Sequence, residues 1–290
     1  MTVIFLNETQ TTDCRCYGYL LLTNWPRRFG MEKITSKNNE LIKSIKKLFT
    51  SRKARVENNQ FVLEGARLCF DVFNSDYKVS CFLVTEKAYD KYENQCIKMA
   101  DKADKSFFIS NEAASKLGDT ESTQGIFAVC EIPKNNFCIE KNKKYIALDS
   151  LQDPSNLGAI IRTAEALGID GAICFNCCDI YNSKALRASM GSILRLPVIM
   201  SSNLCSDIEM MKANGFSVYS AVPDSSAVDI TKIDFGQSSV MIIGNEGNGI
   251  SEAVKACSTQ LVTINMLGRA ESLNASMAGA IAMWEMLRNG

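Results

Sequence analysis

The sequence predicts an α/β protein composed of two domains. First, apolar segments of strand length alternate with amphipathic segments of helix length along most of the chain. Second, residues 133–144 are polar, contain Pro133 and lack apolar periodicity, which is typical of a linker. Third, 290 residues with a hydrophobic content of 46% are enough for two ordinary hydrophobic cores.

Residues 1–30 differ from the rest of the chain because they show no sustained periodicity. A regular pattern begins at Met31, so we expect residues 1–30 to be a poorly ordered extension and Met31 to be the true start. The first domain is predicted over residues 31–132 as a small α/β unit. Its helices are expected at 40–54, 66–73, 87–99 and 111–117, and its strands at 61–65, 79–85, 106–109 and 125–131.

The second domain is predicted over residues 145–290, with a parallel sheet. Near-continuous apolar runs in its strands indicate burial on both faces, as parallel sheets require. Its strands are expected at 145–149, 171–175, 196–199, 217–221, 239–243 and 260–264, and its helices at 156–167, 183–191, 204–214, 250–257 and 272–288. Ligands of such sheets bind at the carboxyl ends of the strands.

The composition excludes several classes of protein and of site. No apolar run reaches the roughly 18–20 residues of a membrane span, and no basic leader precedes a short apolar run, so we expect a cytoplasmic protein without membrane contact. The 12 cysteines are scattered and are predicted to be reduced thiols. Cys174 and Cys177 have CxxC spacing, but there is no second pair and no histidine, so no metal site is expected. The lack of histidine also excludes Ser-His-Asp and Cys-His catalysis.

The net charge is zero, but the basic residues are unevenly distributed. Residues 31–144 contain 20 Lys and Arg against 16 Asp and Glu, whereas residues 145–290 contain 9 against 14. Residues 41–56 include no acidic residue, and their basic residues are Lys43, Lys46, Lys47, Arg52, Lys53 and Arg55. The three lysines share one helical face. This stretch is either the solvated side of an amphipathic helix or a surface that contacts RNA phosphates.

Three polar turns at the ends of predicted strands form the candidate site. The first, residues 149–156, leads into a helix that begins at Asp153 and Pro154 and that carries Asn156 and Arg162. The second, residues 244–250, contains three glycines and Glu246. It matches neither the dinucleotide fingerprint nor the P-loop, so taken alone it is a plain glycine turn.

The third turn, residues 263–276, runs from an apolar strand end into a group of polar side chains. Ser272 is the expected N-cap of the following helix, but capping does not account for Glu271 and Asn274 in the same turn. An apolar slot edged by backbone amides and hydroxyl groups would suit a small amphipathic cofactor. The three turns together predict a site more strongly than any one of them.

The three turns resemble the three ordered motifs of the SpoU (TrmH) family of RNA 2′-O-ribose methyltransferases, within the SPOUT superfamily. The matching segments are Asp153-Pro154-Ser155-Asn156-Leu157-Gly158 with Arg162, then Gly244-Asn245-Glu246-Gly247, then Ile264 to Asn274. The resemblance covers residues 145–288, and residues 183–191 resemble a further stretch of the family. Residues 31–132 resemble the family's L30e-like substrate-binding domain.

This resemblance implies that S-adenosylmethionine is the cofactor and that a ribose 2′-hydroxyl of RNA receives the methyl group. The catalytic and substrate-positioning residues that it implies are Asn156, Arg162, Glu246, Ser272 and Asn274. The residues that it implies for cofactor binding are Gly244, Ile264, Met266, Gly268 and Leu273, with neighbouring backbone. Arg162 is expected either to act as a base in a desolvated complex or to stabilise the developing alkoxide, since a guanidinium normally stays charged.

The resemblance also implies a trefoil knot in the second domain and a homodimer formed through that domain. General rules of chain topology do not predict a knot. By analogy with the appended L30e-like domain, 23S rRNA is the expected substrate and tRNA is the alternative. A protein of the same fold that binds RNA or the ribosome without catalysis is another alternative, and a nucleotide-dependent oxidoreductase is disfavoured by the missing glycine fingerprint.

Asn265 is the one visible departure from the family's pattern. The family usually has a proline after the isoleucine of the third motif, where this chain has Asn265 after Ile264. Loss of the fixed φ angle of proline is expected to loosen the turn without changing a catalytic side chain.

Overall fold

The computed structural model describes residues 31–119, 122–134 and 138–288. These residues form two sheets, one of five strands between residues 32 and 131 and one of seven strands between residues 144 and 263. The predicted extension, residues 1–30, lies outside the described residues.

The first domain contains a mixed sheet with the strand order β1-β4-β3-β5-β2. Its strands are β1 (Glu32–Ile34), β2 (Gln60–Glu64), β3 (Val79–Val84), β4 (Ser106–Ile109) and β5 (Ile126–Glu131). β1, β4 and β3 are parallel, and β5 is antiparallel to β3 and β2. Its helices are α1 (Glu40–Thr50), α2 (Arg52–Asn58), α3 (Ala66–Asp71), α4 (Glu86–Lys91), α5 (Glu93–Lys102) and α6 (Asn111–Leu117). Buried residues of α1 and α6 pack on one face of the sheet, and those of α3, α4 and α5 pack on the other.

The second domain contains an entirely parallel sheet with the strand order β10-β12-β9-β11-β6-β7-β8. Its strands are β6 (Lys144–Asp149), β7 (Gly171–Phe175), β8 (Val198–Ser201), β9 (Ser217–Ala221), β10 (Val228–Asp229), β11 (Ser239–Ile243) and β12 (Gln260–Thr263). Its helices are α7 (Pro154–Leu167), α8 (Ser183–Ser189), α9 (Leu204–Ala213), α10 (Glu252–Cys257) and α11 (Ala275–Arg288). Helices α7, α8 and α11 cover one face, and α9 and α10 cover the other. The predicted parallel sheet is confirmed, and the knotted chain path stays a prediction.

Several element boundaries differ from those expected, each for a local reason. The helix expected at 40–54 is divided at Ser51, whose extended backbone ends α1 and whose hydroxyl caps α2 by accepting from the Ala54 amide. The helix expected at 87–99 is divided at Tyr92 into α4 and α5. β8 begins after Pro197 because proline has no amide hydrogen to give to a strand ladder.

The two domains contact each other between β2 and the segment that follows β7. Phe61 of β2 stacks on Tyr181, with ring centroids 4.4 Å apart. Asp119 accepts hydrogen bonds from Ser183 Oγ at 2.5 Å and from Arg187 Nη1 at 3.2 Å, so the loop after α6 is attached to α8. No helix within the described ranges is long and apolar enough to cross a membrane.

Candidate active site

The strand order of the second sheet brings the three predicted turns to one edge. β6 and β11 are neighbours, and β9 separates β11 from β12. Since all of these strands are parallel, the turns after β6, β11 and β12 open at the same carboxyl edge. This is where the sequence predicted a ligand site.

The first turn begins α7 as expected. Asp153 is the N-cap, its side chain accepts from the Ser155 amide at 2.9 Å, and Pro154 opens the first turn. Gly158, one turn further, lies against α8, because a Cβ there would stand 2.5 Å from the Ala185 carbonyl oxygen. Glycine at this position therefore allows α7 and α8 to pack closely.

The second turn is a closed loop organised by Asn245. Its Oδ1 accepts from the amides of Gly247 and Asn248, both at 2.9 Å, and its Nδ2 donates to the Ser150 carbonyl at 2.8 Å. Glycine is required at 244, where a Cβ would stand 2.3 Å from the carbonyl carbon of Gly249. The loop is thereby attached to the first turn.

The third turn ends at Asn274, which starts α11. Asn274 Oδ1 accepts from the Ser276 amide at 2.9 Å and from Ser276 Oγ at 2.6 Å. The expectation that Ser272 caps this helix is therefore wrong, because α11 begins at Ala275. Ser272 is exposed, and its hydroxyl makes no hydrogen bond within the described residues, so it is available to a ligand.

A chain of side-chain hydrogen bonds joins the three turns. Asn274 Nδ2 donates to Asn156 Oδ1 at 3.0 Å, and Asn156 Nδ2 donates to Glu246 Oε1 at 3.1 Å. Glu246 also accepts from the amide of Gln152 at 3.1 Å and from that of Asp153 at 3.0 Å. Four of the five predicted catalytic and substrate-positioning residues are thus placed together. Three of them form the chain of bonds, and Ser272 lies beside it.

The carboxyl group of Glu246 is held in its ionised form. Partial burial by itself raises its pKa, but hydrogen bonds from Asn156 and from nearby backbone amides outweigh that effect. The net pKa lies below the ordinary value of 4.5. Glu246 is therefore an anionic acceptor at neutral pH and orients the residues that donate to it.

A cleft opens beside these hydrogen bonds. Its lining includes four of the five predicted cofactor residues, namely Gly244, Ile264, Met266 and Leu273. Gly268 is not among the lining residues and is exposed, so the structure gives it no role in the cleft. Lining residues that the sequence did not suggest are Ala221, Val222 and Pro223, at the end of β9. They reach the cleft because β9 lies between β11 and β12, an order that sequence patterns do not give.

Arg162 is separate from the other predicted catalytic residues. It is exposed, and its side chain forms no hydrogen bond or ion pair with any part of the chain that the structure describes. It follows Asn156 by six positions on α7, which corresponds to about 9 Å along the helix axis and about 240° around it. Within one chain, Arg162 and Asn156 therefore point in different directions.

Four of the six predicted RNA-binding residues are exposed on α1 and α2, namely Lys43, Lys47, Arg52 and Lys53. Two of these four form ion pairs within their own helix, Lys43 with Glu40 at 2.7 Å and Lys53 with Glu57 at 3.7 Å. Lys46 donates to the carbonyls at the end of α6, Leu117 and Gly118, at 3.2 and 2.9 Å.

Arg55 has a structural environment that differs from the one expected. It is buried, and its guanidinium donates to Asp179 Oδ2 at 2.6 Å and to the carbonyls of Leu48 and Phe49. All of its directed contacts are thus within the protein, which removes it from the predicted phosphate-binding set. Arg55 instead attaches α2 to the loop that follows β7.

Metal-ligating side chains are not clustered in the described ranges, where no group of three or more His, Cys, Asp or Glu could hold an ion. Cys174 and Cys177 are free thiols, and both are buried. The predicted catalytic side chains that lie together carry amide, hydroxyl and carboxylate groups.

Comparison with known proteins assigns the chain to a family. Residues 143–284 match the model of the SpoU rRNA Methylase family, and residues 39–128 match the MRM3-like substrate binding domain. The 23S rRNA (guanosine(2553)-2′-O)-methyltransferase RlmP of Bacillus subtilis is 33% identical over 257 residues, which cover 88% of this chain and 99% of that protein. The resemblance inferred from the three motifs is confirmed.

Solved structures give the same result. The AdoMet-bound rRNA methyltransferase from Sinorhizobium meliloti aligns with a TM-score of 0.80 and 27% identity, covering 89% of this chain and 98% of that one. The SpoU methyltransferase AviRb from Streptomyces viridochromogenes, in complex with AdoMet, aligns with a TM-score of 0.79 and 25% identity, covering 87% of this chain and 98% of that one. The chain therefore belongs to the SpoU rRNA methylase family, and it is an S-adenosylmethionine-dependent RNA ribose 2′-O-methyltransferase.

Proposed function

We propose that this methyltransferase modifies a ribose of 23S rRNA. The observation that carries the proposal is the chain of hydrogen bonds through Asn274, Asn156 and Glu246, which holds all three motif turns at one cleft. The choice of RNA is supported by RlmP, a 23S rRNA guanosine methyltransferase that this chain matches along 99% of its length. That match extends through the first domain as well as the second.

The cleft fits S-adenosylmethionine in the kind of groups that it offers. Ile264, Met266 and Leu273 supply an apolar wall, and the loop from Gly244 to Gly249 brings backbone close to the cleft. Such a lining suits a ligand with an apolar ring and a few polar groups. When bound, the cofactor supplies an activated methyl group for transfer to a nucleophilic oxygen.

The residues of this chain act by placing the ribose and by stabilising charge. Ser272 presents a free hydroxyl at the cleft, and Asn274 is fixed next to it by Asn156 and Ser276. Correct placement of reacting groups contributes up to about 7–11 kcal/mol of rate enhancement. Arg162 stabilises the negative charge that develops on the 2′-oxygen as a guanidinium cation, while the proton passes to water or to an RNA phosphate.

The active form in this proposal is a homodimer made through the outer side of α7 and α11. Met277, Ile281 and Trp284 are exposed by 60%, 40% and 56%, and their spacing places them on one face of α11. An exposed apolar stripe of this kind marks an interaction surface. Arg162 is exposed on the same helical layer, so a two-fold partner brings its Arg162 to the site that this chain's own Arg162 does not reach.

The RNA-contacting surface in this proposal includes Lys47, Arg52 and Lys53. Arg55 supports this placement because it anchors α2 to Asp179 in the loop after β7, next to the first motif turn. Arg52 precedes Arg55 by three positions and lies on a neighbouring part of the same helix surface. Its exposed guanidinium is therefore close to the domain boundary, where an RNA bound at the cleft would pass.

The proposed location of the protein is the cytoplasm, which is a reducing compartment. Every cysteine in the described residues is a free thiol, and several lie in the cores of both domains. Free buried thiols are usual in proteins of reducing compartments.

The decisive experiment measures methyl transfer by the full chain from radiolabelled AdoMet to 23S rRNA and, separately, to tRNA. We expect label in 23S rRNA, at a single ribose that alkaline hydrolysis reveals as a protected linkage. Asn274→Ala is the matched control, and it should bind AdoMet with little or no transfer. Label in tRNA alone would overturn the substrate, and binding of both ligands by the wild-type protein without transfer would identify a non-catalytic RNA-binding protein.

A further inference from the structure

The third motif turn has very little support from its own backbone. Residues 264–273 lie outside every helix and strand, and most of them are exposed. Among the residues that the structure describes, this segment makes one hydrogen bond, from Asn265 Nδ2 to Asp229 Oδ2 at 2.5 Å. The conformation of the turn therefore depends strongly on the end of β12 and the start of α11, which flank it, and on this one contact.

Asp229 is a well-anchored partner for that contact. Its Oδ1 accepts from the Thr231 amide at 2.9 Å and from Thr231 Oγ1 at 2.7 Å, which leaves Oδ2 for Asn265. Asp229 also belongs to β10, in register with Thr263 of β12. The carboxylate thus holds Asn265 against the edge of the sheet from which the turn departs.

The residues on either side of Asn265 belong to the cofactor cleft. Ile264 and Met266 both line it, whereas Asn265 itself is exposed and does not. Ile264 and Met266 are partly buried and Asn265 is exposed, the alternation expected when successive side chains point in opposite directions, so fixing Asn265 on the outer side fixes its two neighbours on the cleft side. The contact acts on the cleft through them.

We propose that the Asn265–Asp229 hydrogen bond is a positioning contact for the S-adenosylmethionine cleft, and that it replaces the restraint that a proline would supply at position 265. Proline would restrict the backbone by fixing φ, whereas Asn265 restricts it by binding a fixed carboxylate. The Asn265 amide donates no hydrogen bond within the described residues, so proline there would remove none. The inference rests on the assigned use of this cofactor.

The first test is the affinity for AdoMet, measured by calorimetry without RNA. Asn265→Ala should raise Kd by about threefold to tenfold, the range expected for one lost hydrogen bond. Asn265→Pro should bring Kd back towards the wild-type value. In the wild-type background, Asp229→Ala should raise Kd as much as Asn265→Ala does. In the Asn265→Pro background, Asp229→Ala should change Kd no more than the control variant Thr231→Ala does.

The second test reports on the turn itself in the absence of cofactor. Arg269 is exposed within the segment, so trypsin cleavage after it, followed by mass spectrometry, measures how readily the turn opens. Cleavage should be faster in Asn265→Ala and should return to the wild-type rate in Asn265→Pro.

The possible results distinguish a failure of the positioning role from a failure of the assigned function. Equal Kd and equal cleavage rates in wild type and Asn265→Ala, with AdoMet bound by both, would overturn the role of the contact alone. Failure of the wild-type protein to bind AdoMet would overturn the assigned function, and the positioning role with it.

Discussion

Asn274 donates a 3.0 Å hydrogen bond from Nδ2 to Oδ1 of Asn156, although 118 positions separate the two residues in the chain. The direction of this bond is determined at both ends. Glu246 is a pure acceptor when ionised, so Asn156 must present its amide nitrogen to it and its oxygen to Asn274. At the other end the Ser276 amide is a pure donor, so Asn274 must present its oxygen there and its nitrogen to Asn156. Only one orientation of both side chains satisfies these two ends.

Asn156→Asp should disrupt this chain of hydrogen bonds more than a substitution that only removes side-chain volume would. The new carboxylate would face Glu246 Oε1 where an amide nitrogen now donates at 3.1 Å, and two carboxylates in contact repel each other. We expect a loss of about 1–3 kcal/mol in the free energy of unfolding. Methyl transfer should fall by about 100-fold, the typical cost of a misplacement of about 1 Å.

Asn248→Asp is the matched control for that variant. Asn248 is exposed in the second motif loop, and its side chain takes no part in the chain of bonds. The variant Asn248→Asp therefore adds the same negative charge nearby, and it should leave the free energy of unfolding and the rate of methyl transfer almost unchanged. Equal behaviour of the two variants in thermal melts and transfer assays would show that the chain of bonds does not order the site.

Stability should depend on pH through Glu246. Its pKa in the folded protein lies below the ordinary value of 4.5, so the folded state favours the ionised form. The resulting stabilisation is present in full above the pKa of the unfolded chain and is lost as the pH falls through the lower folded pKa. The difference in free energy of unfolding between wild type and Glu246→Gln should thus be constant near neutral pH and shrink below about 4.5. A difference that grew on acidification would contradict this sign.

The elements that the sequence predicted best are those with local causes. Asp153 and Pro154 define the start of α7 by themselves, and the apolar runs of β6, β7, β9 and β11 require burial wherever the chain takes them. The strands that the patterns missed, β1 and β10, are three and two residues long, too short for any periodicity to show.

The candidate site could be predicted as a set of residues but not as an arrangement. Ser272 looked like the helix cap because it stands at the start of the helix expected at 272–288, and only the structure shows that Asn274 has that role and also reaches Asn156. Arg55 looked like its basic neighbours, and its burial depends on Asp179, 124 positions away. Neither relationship leaves a local pattern, since each joins distant parts of the chain through the order of strands and the packing of domains.

Arg55→Met should be strongly destabilising. The variant would leave Asp179 without its partner and the carbonyls of Leu48 and Phe49 without their donor, in a place where the side chains are 4% and 14% exposed. Breaking a buried ion pair in this way costs about 3–5 kcal/mol. Arg52→Met removes the same charge from an exposed position of the same helix and should stay within about 0.5 kcal/mol. Chemical denaturation of both proteins measures the contrast, and similar midpoints would refute it.

RNA affinity should lose part of its salt dependence when exposed basic residues of α1 and α2 are removed. A protein that neutralises phosphates releases counterions, and each contact contributes about 0.7–0.9 to the slope of log K against log salt. Lys47→Ala and Arg52→Ala should each lower the slope by about that amount. Lys98→Ala is the control, because Lys98 is exposed on α5, on the opposite face of the first sheet. A slope that drops equally in all three variants would place the RNA elsewhere.

Mixed dimers should reveal whether Arg162 acts across the interface of the proposed homodimer. Arg162→Lys keeps the hydrogen-bonded turns but lacks the guanidinium, whereas Asn274→Ala keeps Arg162 but breaks the bond to Asn156. Each variant alone should fold and be nearly inactive. After the two are mixed and re-equilibrated, half of the dimers contain one chain of each kind and one intact site of two, so about a quarter of the wild-type transfer rate should return. Adding Trp284→Glu to both variants places a charge on the apolar stripe, and should abolish dimers and recovery together. Dimers without any recovered activity would mean that each site uses the Arg162 of its own chain.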